Sequence, residues 1–199
     1  VCSSDLTGEG KNSPTRVGAS VGDIMAGTFT AYGIMLAMHH RNKTGKGQLV
    51  DVAMLDCQVA ILENAIARYV TTGEIPVPLE NRHPSITPFS AFTAKDGQLI
   101  VGAGNDRLWI KLCDVLGKPE LLTDERFGSN GDRTKHFHEL HEIMNSVIIE
   151  RTIDEWIALL EEAGIPCAPI NNIERILNDP QIAAREMIVE VEHPIAGHL

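Results

Sequence analysis

Apolar and polar positions follow two rhythms along the chain, one on either side of a proline-rich stretch. From Asp23 to about His40 the residues are Ala, Gly, Met, Thr and larger apolar side chains with scarcely a charge, which predicts a helix buried on most sides. Small residues at Ala26, Gly27, Ala31 and Gly33 would let another backbone approach it closely. The charged run from Arg41 to Gly47 ends that helix and turns the chain. Gln48 to Met54 then reads as a mostly apolar strand, and about Leu55 to Thr72 as a second helix. Helix, turn, strand and helix in that order are the texture of an α/β layer.

Pro76, Pro78, Pro84 and Pro88 fall between Gly73 and the next apolar run, so a linker and a domain boundary belong there. Beyond it, Phe89 to Ala94 and Leu99 to Ala103 flank Lys95-Asp-Gly-Gln98, a strong hairpin signal. Helices are predicted from about Arg107 to Leu116, Lys135 to Glu150 and Ile153 to Ala163. Thr152 and Glu155 have the spacing of a capping box. Asn171 and Glu174 repeat an Asx-x-x-Glu start, and Asp179-Pro180 pairs an N-cap with proline at the first helical position. The second half therefore reads as a small α+β domain, without internal repeats.

The sequence has 199 residues, room for one large or two small domains. At 43% apolar and 22% charged it is neither disordered throughout nor fibrous. Seventeen Lys and Arg against 27 Asp and Glu leave a net charge of −10, which repels phosphate backbones and sets nucleic acid aside as a partner. Cys2, Cys57, Cys113 and Cys167 lie far apart with no C-x-x-C spacing, as expected in a reducing, cytoplasmic compartment. Unbroken apolar runs, the longest from Ile34 to Met38, fall far short of a membrane span, and no signal peptide is legible, so no membrane partner is predicted. The sequence opens on Val1 and stops at Leu199 within a strand-and-turn pattern, so it reads as a piece of something longer. Residues 1–6 are a candidate cloning scar, and residues 1–15 read as disordered.

Several groups invite a chemical reading. His136, His138 and His141 lack the His-Glu-x-x-His spacing of a zinc protease, and solvated helix polarity is the better account, so no metal is assigned. Cys57 and Cys113 fall inside predicted helices, where cysteine is usually a small buried apolar group. Thr44 to Gln48 lacks phosphate-loop spacing and is a turn. Asp23 follows an uncharged small-residue run and precedes the apolar helix. The ordinary reading is an N-cap. The other is an ionised carboxylate held among free backbone donors, able to attack an activated acyl group or to act as a base. Gly22 suits either chemistry, because a side chain there would obstruct a bulky substrate.

Arg16-Val-Gly-Ala-Ser-Val-Gly-Asp23-Ile-Met-Ala-Gly27, followed by Arg41-x-x-Thr44-Gly-Lys-Gly-Gln48-x-Val-Asp51-Val-Ala-Met-Leu-Asp56, resembles the class III CoA-transferases. The likeness continues through Pro88-Phe-Ser-Ala-Phe92, Asp96-Gly97, Asn105-Asp-x-x-Trp109 and Asp124-Glu-Arg-Phe127. Gly164-Ile-Pro-Cys-Ala-Pro169, Asn178-Asp-Pro-Gln181 and His193-Pro-x-x-Gly197 complete it, in the family's order.

The resemblance implies an α/β fold: part of a Rossmann-like large domain over residues 1–75, a linker at 76–85, a small α+β domain over 86–186, and the start of a return linker at 187–199. It implies a fragment lacking the family's N-terminal part and C-terminal end, inactive alone, and an interlocked homodimer at full length. It implies a transferase in which Asp23 attacks an acyl-CoA to give an acyl-aspartyl anhydride and then an aspartyl-CoA thioester, from which a carboxylic acid takes CoA. Met54 matches a position lining the CoA site, with core packing the ordinary alternative. Coenzyme A and acyl-CoA are then substrates, and no cofactor is permanently bound. An acyl-CoA racemase using the same aspartate as a base, beside a histidine some thirty residues upstream in the relatives, is the alternative within the superfamily.

Overall fold

The computed structural model describes residues 6–10 and 13–198, and the chain divides after Asn81 into two compact units. Cys2 and all but the last residue of the candidate scar lie outside the described residues. Within the rest of the opening, Thr15 N–H donates to Thr7 O at 2.7 Å and Gly8 bridges Pro14.

The first unit is built on α1 (Val21–Thr44), longer at both ends than the apolar pattern predicts. Gly45, in the left-handed region at φ 73°, closes it by donating to Arg41 O, as a helix C-terminus requires. Arg41 and Lys43 in the last turn suit the dipole. The predicted burial is overturned: no residue of α1 is buried, and Tyr32 and Met35 keep 67% and 65% of their surface. An uncharged Ala- and Gly-rich helix looks like core by composition, but burial needs layers on several sides. One close approach does form, since a Cβ at Gly33 would lie 2.8 Å from Val50 Cγ1, whereas nothing lies within 4 Å at Gly27. Averaged over 18 residues, α1 has a mean hydropathy of 1.3, long and apolar enough by composition to cross a membrane. Counting unbroken runs misses this, because Thr28, Thr30 and the glycines interrupt runs without making them polar.

The strand predicted at Gln48–Met54 is absent. Residues 46–53 are irregular, and α2 (Met54–Ala60) already begins at Met54. A strand needs a neighbour to take its N–H and C=O groups, and no described segment of this unit supplies one. The single helix predicted over 55–72 is two, α2 and α3 (Glu63–Thr72), separated by a turn in which Leu62 N–H reaches Val59 O at 3.0 Å. Neither Pro nor Gly marks that break, so the pattern runs through it.

The second unit closes a core of its own. The predicted hairpin is β1 (Phe89–Ala94) and β2 (Gly97–Gly102), with Ala94 opposite Gly97, so Lys95 and Asp96 make the turn. Strand β3 (Cys167–Pro169) adds antiparallel to β2, giving the order β1-β2-β3. Against the sheet and one another pack α4 (Asp106–Val115), α5 (Asn130–Lys135), α6 (Phe137–Ile148) and α7 (Ile153–Glu162). The helix predicted over about 135–150 is α6, two residues shorter at each end, and the short α5 before it, which the pattern did not predict, shares His136 with it as a cap residue. The capping box of α7 forms: Thr152 and Glu155 each satisfy the other's backbone donor. In α8 (Ile173–Leu177) the cap is Asn172, one residue later than predicted, accepting from Arg175 N–H at 2.8 Å. Asp179 caps α9 (Pro180–Ala184) as expected, and β4 (Glu192–His193) with β5 (Gly197–His198) forms a closing hairpin. Arg133, wholly buried, ties this core together. It donates to Thr87 O, Phe127 O and the Asp106 carboxylate at 2.9, 3.1 and 3.0 Å and lies over the Trp109 ring.

Candidate functional site

Asp23 is not an N-cap. Val21 and Gly22 join α1, Ser20 takes the cap position without a side-chain bond, and Asp23 stands third in the helix. The Ile24 N–H to Ser20 O bond of 3.0 Å fixes that start. Among the described residues no acceptor meets the Gly22 and Asp23 N–H groups, and no donor meets the Asp23 carboxylate, which is exposed. Asp23 thus stands in the first turn of α1, at the positive end of the helix and beside two amide donors unused among the described residues.

Asp23 opens onto a cavity of about 170 Å³ that is also lined by Gly22, Arg16, Met54 and Gln58. The two site residues read from the sequence, Asp23 and Met54, thus line one cavity. Met54 keeps 44% of its surface, so packing in a core does not account for it. Four residues on in α2, Gln58 stands on the same helical face as Met54. It is 6% exposed and lies against Gly22, where a Cβ would stand 3.0 Å from its Nε2. A side chain at Gly22 would press on the Gln58 amide, a nearer obstacle than any substrate. Sequence reading passed over Gln58; its spacing of four from Met54 was the signal available. At about 170 Å³ the cavity is smaller than the roughly 300–1,000 Å³ of sites that enclose a drug-sized ligand.

The other candidates are structural. His141 donates from Nε2 to Ala91 O at 2.9 Å and accepts at Nδ1 from Asn145, while its ring stacks on Phe92. His136 faces Glu139 at 3.3 Å. Cys57 and Cys113 are buried, and burial pushes the Cys113 thiol up to about 12, far from thiolate chemistry at neutral pH.

The family model described as CoA-transferase family III matches residues 2–199. The acetyl-CoA:oxalate CoA-transferase of Acetobacter aceti is 38% identical over 92% of this chain and 48% of its own length. The succinyl-CoA:mesaconate CoA-transferase of Haloarcula hispanica is 35% identical over 96% of this chain and 47% of its own. A crystal structure of a CAIB/BAIF family protein from Brucella suis superposes with a TM-score of 0.80 at 34% identity, over 94% of this chain and 49% of that one. The chain spans about half the length of the curated relatives it matches.

Proposed function

The chain belongs to CoA-transferase family III and has its α/β fold, and from that premise we propose that the whole protein moves CoA from an acyl-CoA to a carboxylic acid through Asp23. The observation that carries the proposal is an exposed carboxylate, unbonded among the described residues, in the first turn of α1 and on one cavity with Met54. An Asp23 oxygen attacks the thioester carbonyl, the C–S bond breaks, and CoA leaves as thiolate, giving an acyl-aspartyl anhydride. The thiolate then attacks the aspartyl carbonyl and releases the donor acid as carboxylate, leaving aspartyl-CoA. An acceptor carboxylate runs the two steps in reverse and restores Asp23. Each intermediate is an activated acyl, so no step falls far in free energy. The unused Gly22 and Asp23 amides are suited to the negative charge that develops on the carbonyl oxygen.

Met54 supplies a soft apolar contact for the CoA arm. Relatives named for oxalate and mesaconate make a small dicarboxylic acid the natural first acceptor to test. CoA species are substrates in this reading, with no permanently bound cofactor. We place the protein in the cytoplasm as an interlocked homodimer, with α1 packed inside the complete enzyme rather than across a membrane. The division of residues 1–75, 76–85, 86–186 and 187–199 into large-domain segment, linker, small domain and return linker belongs to the same proposal.

Hydroxylamine added to the full-length enzyme during turnover should convert Asp23 to its hydroxamate, and borohydride should reduce the aspartyl-CoA thioester to the alcohol. Peptide mass spectrometry on the segment containing Val21-Gly22-Asp23 reads both. An unmodified peptide under proven turnover removes the covalent mechanism and favours the racemase, whose aspartate is only a base.

A further inference from the structure

Gln58 is the one residue of the cavity wall that is nearly buried, polar and without a partner among the described residues. It keeps 6% of its surface, its amide sits against Gly22 immediately before Asp23, and neither its N–H groups nor its oxygen meets any described residue. The Asp23 carboxylate is equally unpaired, so the amide is not reserved for orienting that carboxylate. With no partner among the described residues, its N–H groups are available to a ligand in the cavity that it shares with Asp23.

We propose that the Gln58 side-chain amide donates a hydrogen bond to the carbonyl oxygen of the acyl group while Asp23 attacks it. The inference rests on Asp23 being the nucleophile. At attack, the thioester carbonyl oxygen takes up the electron pair of the breaking π bond and becomes an oxyanion. When the C–S bond breaks, that pair returns and CoA departs as thiolate, so the donor gives no proton away and is unchanged afterwards. A neutral amide suits this task because it neither titrates near neutral pH nor neutralises Asp23 between turnovers. Met54 and Gln58, one turn apart on α2, then divide the work: thioether to the CoA arm, amide to the acyl oxygen.

The test uses the full-length enzyme and two variants. Gln58→Met keeps length and loses all hydrogen bonding; Gln58→Glu keeps shape and loses the N–H donors. The expected result is a fall of roughly 10²–10³-fold in kcat for both, the range found on deleting one oxyanion donor, with KM for acyl-CoA within about threefold. Hydroxylamine trapping at Asp23 should slow by the same factor. The melting temperature of Gln58→Met should hold, because no described residue loses a hydrogen bond; a glutamine that serves only the fold would lower it and leave kcat unchanged. Wild-type trapping rates and kcat in a folded Gln58→Glu enzyme overturn the inference while leaving Asp23 as nucleophile. Absence of trapping in the wild-type enzyme overturns the Asp23 reading itself, and this inference with it.

Discussion

The two units make opposite use of a similar supply of apolar side chains. In residues 82–198, Leu99, Leu112, Phe127, Met144 and Leu160 retain 1% of their surface or less, and a buried arginine among them has a bond from each of its three side-chain nitrogens. Among the described residues of the first unit the buried apolar residue is Cys57, while Ile24, Tyr32, Met35, Leu49 and Val70 keep 60% or more. The candidate chemistry lies entirely in the unit that does not close its own core. A catalytic carboxylate needs a fixed frame, and α1 is held here chiefly by α2 and by Val50 over Gly33. We infer that the exposed faces of α1 are completed by parts of the enzyme beyond this chain, which spans about half of its relatives.

The largest effect that could break this contrast is autonomy of folding. Residues 82–199 expressed alone should melt in one cooperative transition, and residues 1–81 alone should show helical signal without one. The 199-residue chain should associate through its uncovered apolar surface, seen as concentration-dependent mass by light scattering. A soluble monomer in which both units melt together would remove the contrast.

Next in size is a matched pair of truncations. Leu112→Ala, at a wholly buried site, should cost about 2–5 kcal/mol in urea unfolding. Leu36→Ala, at a site 55% exposed, should change stability by less than about 0.5 kcal/mol in this chain. In the full-length enzyme the same Leu36→Ala should rise to about 2 kcal/mol or more if α1 is covered there. An unchanged small cost at full length would mean that α1 stays a surface helix.

The same contrast explains what the sequence could disclose. Turn and cap chemistry is local, so the hairpin at Lys95-Asp96, the Thr152–Glu155 box and the Asp179 cap were legible from neighbours alone. Asp23 and Met54 were legible only through resemblance, since nothing local distinguishes Asp23 from a cap residue. Its true position depends on α1 starting at Val21, a shift of two residues that propensity does not decide. The strand at Gln48–Met54 failed for a different reason: pairing is a long-range property, and the pattern of a strand carries no information about whether a partner is present. Arg133 was invisible because it is defined by what surrounds it: an arginine between Asp132 and Thr134 looks like surface until Thr87, Phe127 and Asp106 converge on it.

The smallest predicted effect compares two helix starts, one in each unit. Thr152 Oγ1 accepts from Glu155 N–H, and a Glu155 carboxylate oxygen accepts from Thr152 N–H at 2.8 Å, whereas Ser20 makes no side-chain cap bond at the start of α1. Thr152→Ala should therefore cost about 1 kcal/mol, and Ser20→Ala a few tenths at most. The Thr152 backbone N–H first, and its hydroxyl second, hold the Glu155 carboxyl below its ordinary range. A depressed carboxyl stabilises the fold at pH values above its unfolded pKa, and that contribution disappears as pH falls through the lower, folded value. The stability gap between wild type and Glu155→Gln should accordingly narrow on acidification below the ordinary glutamate range and stay flat above it. A gap that stayed flat through that range would show that the Glu155 carboxylate adds nothing to the box, and that the cap rests on the Thr152 hydroxyl alone.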